Sequence, residues 1–153
     1  MTIISQLTQN RKTVLVVDDD PFVSEFVRVA LMRLGYAARI ADNGMTGLAT
    51  AVKEHPDAIL LDLAMPEVDG FEFLKHRRKM PEVEAIPVIV LSASHTRTDV
   101  KRAMALGACG YITKPVTEDA LARRLGKVVP SPLFGRPETT QLVWGNVPPK
   151  SLI

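Results

Sequence analysis

Cysteine occurs once in this chain, at Cys109, so an intramolecular disulfide is excluded. In the stretch "GACGYI" it stands among apolar residues and is expected to be a small core residue. Charge of one sign is equally scarce. Nineteen Lys and Arg against seventeen Asp and Glu leave a formal net charge of +2, too little to imply a nucleic-acid surface. The densest basic cluster is Lys75, His76, Arg77, Arg78 and Lys79, which reads as a solvated helix face. No apolar run reaches the ~20 residues that a membrane-spanning helix needs. The opening "MTIISQLTQNRK" lacks the apolar stretch and small-residue cleavage site of a signal peptide, so a cytoplasmic protein without membrane contact is expected. Aromatics make up only 5% of the 153 residues, but the whole apolar fraction is 46%, enough for one domain with a real core.

What the chain does have is alternation. "TVLVV" (13–17) is β-branched and apolar on both faces, as a strand buried in a parallel sheet requires. Asp20-Pro21 then reads as a helix cap followed by proline at the first helical position. Phe22, Val23, Phe26, Val27, Ala30, Leu31 and Leu34 recur at helical spacing until Gly35 stops the helix. Further strands are expected at 36–40, 58–62, 87–93 and 109–113. The intervening helices are opened by Asp42 or Asn43, by the segment "FEFLKHRRK", by Thr98 or Asp99, and by Thr117. Five strand–helix alternations argue an α/β fold, a parallel sheet covered on both faces. The flavodoxin-like (βα)5 doubly wound sheet, order 2-1-3-4-5, is the common five-stranded solution. Residues 1–12 read as an N-terminal extension, 13–128 as the domain, and 129–153 as a proline-rich C-terminal tail too short for a second domain. The tail carries Leu133, Phe134, Leu142, Val143 and the only tryptophan, Trp144. Docking against the domain, docking against a partner copy and disorder all remain open for it.

The segment "VLVVDDDP" sets three carboxylates side by side. Two ionised carboxylates ~4 Å apart repel by about 4 kcal/mol at an effective dielectric of ~20, so a cation is the first candidate to offset them. In a doubly wound sheet the ligand site lies beyond the carboxyl ends of the strands. Those ends hold Asp18 and Asp19, Asp62, Ser92, and Lys114. Three carboxylates, a hydroxyl and an ammonium suit phosphoryl transfer onto a carboxylate. A hard cation such as Mg²⁺ takes oxygen ligands, a carboxylate can form an acyl phosphate, and lysine supplies a point charge for a phosphoryl oxygen. Asp20 reads as a helix cap only. His55, His76 and His95 lack metal-ligand spacing and are expected to be exposed, His95 lying nearest the crevice. A triad from Ser94, His95 and Asp99 is disfavoured, because two members are adjacent and no oxyanion loop is evident.

"VLVVDDDP", "ILLDLAMPEVDG", "VIVLSAS" and "GYITKP" together resemble the motifs of the receiver domain of two-component response regulators, in order and close to the usual spacing. The resemblance covers residues 13–128. It implies Asp62 as phospho-acceptor, Asp18, Asp19 and the Ala64 backbone carbonyl as Mg²⁺ ligands alongside Asp62, Ser92 and Tyr111 as switch residues, and Lys114 as the family's lysine, with a cis Lys114-Pro115 bond. It implies a donor that is a sensor histidine kinase or a histidine phosphotransfer protein. Beyond its own phosphotransfer and dephosphorylation no enzyme activity is implied. Output would pass through the helix that carries Val100 to Leu106, the fifth strand and the last helix, to an unknown downstream protein or in a homodimer, with no nucleic acid involved. Ala64 and Ser94 depart from the longer polar side chains common at these positions, which implies an altered acyl-phosphate lifetime. Two rivals are a receiver-like scaffold that works without phosphorylation and a haloacid-dehalogenase-like phosphohydrolase using Asp18 and Asp20. Against the latter, Phe22 stands where Thr or Val is expected.

Overall fold

Five short strands, β1 (Thr13–Val17), β2 (Ala37–Ala41), β3 (Ala58–Asp62), β4 (Val88–Ser92) and β5 (Gly110–Thr113), form one parallel sheet in the order β2-β1-β3-β4-β5. A computed structural model describes residues 11–131 of the chain. Six helices connect or close the strands: α1 (Pro21–Arg33), α2 (Gly44–Glu54), α3 (Gly70–Arg78), α4 (Pro81–Glu84), α5 (Arg97–Ala105) and α6 (Glu118–Val128).

The side-chain alternation of β1 sorts the two core layers. Val14 and Val16 point to one face, where they pack with Val27 and Leu31 of α1 and Leu121 and Leu125 of α6. Leu15 and Val17 point to the other, against Leu48 and Ala51 of α2, Phe73 and Leu74 of α3 and Ala103 of α5. Every residue of β3 and β4 is buried, as central strands between two helical layers must be.

Local chemistry explains most boundaries. Asp20 caps α1 by accepting from the Phe22 and Val23 N–H groups, with Pro21 at the first helical position. Asn43, Asp69, Thr96 and Thr117 cap α2, α3, α5 and α6 in the same way. The expected starts at Thr98 or Asp99 therefore move back to Thr96. Thr96 Oγ1 accepts from the Asp99 N–H, so Asp99 lies inside the first turn. The expected strand 36–40 shifts by one, because Tyr36 leaves the ladder. Its buried ring sits against α1 and α6, and its hydroxyl donates to the Val129 carbonyl at 2.6 Å. Helix α4 was not foreseen; one turn opened by Pro81 is too short for periodicity to reveal.

Three burial expectations fail. Cys109 is exposed, lying just before β5 with its thiol donating to the Val88 carbonyl at 3.4 Å. Arg77, placed on a solvated face, is only 6% exposed; its Nη2 donates to the Glu84 and Ile86 carbonyls at 2.6 and 2.8 Å and ties α3 to the segment after α4. Phe22 and Phe26, counted on the core side of α1, are 85% and 49% exposed. The tail expected at 129–153 lies outside the described residues from 132 onward, and the extension at 1–12 lies outside them up to residue 10.

Candidate functional site at the carboxyl edge of the sheet

Strand polarity gathers the site. In a parallel sheet every carboxyl end lies on one edge, and the order in which strands are added reverses between β1 and β3, so a crevice opens there. Asp18 and Asp19 follow β1, Asp62 ends β3, Ser92 ends β4 and Lys114 follows β5. Register brings them together: Val17 pairs with Leu61, Asp62 with Leu91, and Ser92 with Thr113. The start of α3 must also come close. A Cβ on Gly70 would lie 2.5 Å from the Asp62 carbonyl and 2.6 Å from the Leu63 Cα, so only glycine allows this approach.

The crevice has a volume of about 410 Å³. Lys114 Nζ lies 2.9 Å from Asp18 Oδ2 and 3.4 Å from Asp62 Oδ1, an ammonium shared between two buried carboxylates. Asp62 Oδ1 also accepts from the Ala64 N–H at 3.3 Å. Asp18 Oδ1 accepts from the Asp20 N–H at 2.9 Å. Asp18 Oδ2 is fully buried, and among the described residues its one polar neighbour is the Lys114 ammonium 2.9 Å away. Asp19 is exposed at the mouth. One oxygen from each of Asp18, Asp19 and Asp62 lies within 4.8 Å of the others.

Electrostatics follow from this crowding. Burial, then the neighbouring Asp18 charge, push the Asp62 carboxyl up to about 6, against the opposing pull of Lys114 and the Ala64 N–H. For Lys114, burial alone would lower the affinity for its proton. The hydrogen bond to Asp18 and the charges of Asp62 and Asp18 outweigh it, so the ammonium is held above its ordinary range. A one-lysine, three-carboxylate cluster leaves excess negative charge in a half-enclosed space. Three carboxylates that bring one oxygen each within 4.8 Å of the others, with a single ammonium between them, form an all-oxygen donor set that fits a hard divalent cation.

Every site residue singled out from the sequence falls in or beside this crevice. Asp19, Asp62, Ala64, Ser92 and Lys114 line it, and Asp18 lies behind Lys114. Tyr111 stands at its β4–β5 side, half-buried, with its hydroxyl donating to the Ser94 carbonyl at 2.6 Å. Ser92 Oγ accepts from the Ser94 N–H at 3.1 Å, so Ser92 and Tyr111 engage the same loop residue. The Lys114-Pro115 bond is cis. His95 is exposed and does not line the crevice. Sequence reasoning missed Asp69 and Phe71, which also line it, and weighed Asp99, a third lining residue, only as a member of a disfavoured triad. Asp69 was legible as the Asp-Gly pair before α3, and Asp99 as a first-turn acid of α5. Phe71 carried no signal: its ring lies under the Arg102 guanidinium, 4.0 Å from the centroid, a contact between helices distant in sequence.

The strand order and the lysine-paired acids at the switch point define a doubly wound module of the signalling-receiver class. A family model described as the response regulator receiver domain matches residues 14–126, and the chain belongs to that family. Protein PilH of Pseudomonas aeruginosa is 35% identical over 116 residues, covering 76% of this chain and 96% of that protein. The DNA-binding dual master transcriptional regulator RpaA of Synechocystis is 40% identical over 111 residues, covering 72% of this chain but 46% of RpaA. The chain thus spans about half the length of that regulator. Among solved structures, the chemotaxis response regulator CheY4 of Vibrio cholerae superposes with a TM-score of 0.74 at 31% identity, covering 78% of this chain and 100% of CheY4. The receiver domain of a Pseudomonas aeruginosa sensor histidine kinase, solved with a magnesium ion coordinated in its active site cleft, gives 0.73 at 26% identity, covering 79% of this chain and 99% of that one.

Proposed function

We propose that this receiver accepts a phosphoryl group on Asp62 from a phosphohistidine donor, a sensor histidine kinase or a histidine phosphotransfer protein. The observation that carries the reading is the Lys114 ammonium shared between Asp18 and Asp62, with Asp19 at the mouth of the same crevice. Asp18, Asp19, Asp62 and the Ala64 carbonyl would hold Mg²⁺, which when bound supplies charge neutralisation for the incoming phosphoryl oxygens. Asp62 is the nucleophile: one carboxylate oxygen forms the new O–P bond as the donor's N–P bond breaks, and the imidazole departs with the electron pair. The carboxyl near 6 leaves Asp62 mostly ionised at neutral pH, as a nucleophile must be. The Ala64 N–H and Lys114 orient it through Oδ1. Lys114 then follows the charge onto the phosphoryl group.

The signal leaves through the loop that Ser92 and Tyr111 share. Ser92 Oγ turns from the Ser94 N–H to a phosphoryl oxygen, and Tyr111 gives up the Ser94 carbonyl to enter the space vacated. The face formed by α5, β5 and α6 changes, and output is altered binding to another protein. This is a population shift between two arrangements of one loop.

The test is intact-mass analysis after acetyl phosphate and Mg²⁺. One added phosphoryl group, absent from Asp62→Asn and retained in Asp20→Asn, is the expected result. Labelling at Asp18, or none at all with Asp62 intact, would overturn the assignment. A second measurement, sizing and partner capture with beryllofluoride and Mg²⁺, separates a phosphorylation-driven switch from a passive scaffold.

A further inference from the structure

Helix α1 carries an apolar stripe that the domain does not use. Phe22, Phe26 and Val29 recur at i, i+4 and i+7, and Met32 follows one turn on; they are 85%, 49%, 41% and 47% exposed. The adjoining side of the same helix already fills the core through Val27, Ala30 and Leu31. A contiguous exposed apolar stripe beside a face that is already buried marks a surface on which another segment docks.

The chain carries a candidate within reach. Tyr36, three residues past α1, holds the Val129 carbonyl through its hydroxyl, and α6 packs beside α1 with Arg33 and Glu118 paired at 3.6 Å. The described chain therefore ends at Ser131 beside the C-terminal end of the striped helix. From Ser131 to Trp144 is thirteen residues, which extended can span roughly 45 Å. The thirteen residues of α1 rise only about 20 Å. The segment Leu142-Val143-Trp144 can thus reach any point of the stripe. A tether this short holds its end at an effective concentration on the order of millimolar, so docking within the chain outcompetes docking between copies at ordinary protein concentrations.

We infer that Leu142-Val143-Trp144 of the C-terminal segment docks on the Phe22–Phe26–Val29 face of α1 in the same molecule. The docked segment covers the helix that starts beside Asp19 and Asp20, at the edge of the crevice. The inference is independent of whether Asp62 is phosphorylated.

Trp144 is the only tryptophan, so its fluorescence reports the segment without interference. In the folded full chain its emission is expected to lie at shorter wavelength than in the urea-unfolded chain, with reduced acrylamide quenching. Phe22→Ser combined with Phe26→Ser is expected to move emission and quenching most of the way to the unfolded values. Met45→Ser, on the exposed surface of α2, is expected to leave both unchanged. Both Phe positions are exposed, and circular dichroism checks that the variant stays folded. Three results would each overturn the inference: emission already at the unfolded position, which leaves the stripe to another occupant; shielding indifferent to the Phe22 and Phe26 changes, which places the segment elsewhere; or shielding lost on dilution, which assigns the contact to a second copy.

Discussion

Asp62→Asn is expected to make the metal-free protein more stable, not less, and the crevice sets the size of the gain. Burial and the Asp18 charge raise the Asp62 carboxyl from 3.8 to about 6. At ~1.4 kcal/mol per tenfold change in proton affinity, holding that carboxylate ionised costs the folded state up to about 3 kcal/mol. The neighbouring charge is one part of that cost, beside burial and against the pull of Lys114. Carboxylate oxygens within 4.8 Å of one another repel by about 3 kcal/mol at an effective dielectric of ~20. Lys114 lies against Asp62 in either form and loses a partner on substitution, so the net gain is about 1–3 kcal/mol. The sign across pH follows from proton linkage. The folded state holds the Asp62 proton more tightly than the unfolded chain. This group's contribution is therefore fully present below about pH 4 and is lost as pH rises through about 6. Urea unfolding of wild type and Asp62→Asn at about pH 7.5 is expected to show the variant ahead, and the gap should close near pH 4. Mg²⁺ should close it from the other side, by stabilising wild type more than the variant. A variant less stable at pH 7.5, or a gain that does not change with pH, would refute the account of the crevice as electrostatically strained.

The remaining predictions concern how the site is built and tuned. Gly70→Ala drives a Cβ to 2.5 Å from the Asp62 carbonyl oxygen, which cannot move aside; a loss of about 1–3 kcal/mol is expected from thermal unfolding, with slower phosphorylation by acetyl phosphate. Arg77→Met leaves the Glu84 and Ile86 carbonyls without their guanidinium donor; a cost of about 2–4 kcal/mol is expected in urea, and Arg77→Lys should recover part of it. Ala64 lies exposed beside Asp62 with too short a side chain to reach an attacking water. Ala64→Asn is expected to change the rate at which phosphorylated protein loses its phosphoryl group, and an unchanged rate in a phosphate-release assay would discard that role.

Much of this molecule was legible in its sequence because its strands are short, apolar and cut by strong caps. Asp20-Pro21 and Thr117 set helix starts that the structure reproduces, and the apolar runs of β1, β3 and β4 gave the central strands almost to the residue. The crevice was legible for a different reason: strand order alone decides that residues 18, 62, 92 and 114 share an edge. Periodicity could not tell which apolar residues of α1 face inward, since Phe22 and Phe26 sit on the same broad stripe as Val23 and Val27. Nor could composition reveal Arg77, whose burial depends on two carbonyls presented by a turn seven to nine residues later. Cys109 looked like core because its neighbours are small and apolar, but it lies one residue ahead of the strand that would have buried it.

The bond between the Tyr36 hydroxyl and the Val129 carbonyl has a practical corollary. It pins the last described residues to the sheet's amino edge, where Lys12 also enters through its own bond to Ala37. Both points of attachment therefore stand a strand's length, about 17 Å, behind the crevice mouth. A surface or a fluorescent reporter tethered through either one leaves that mouth facing outward.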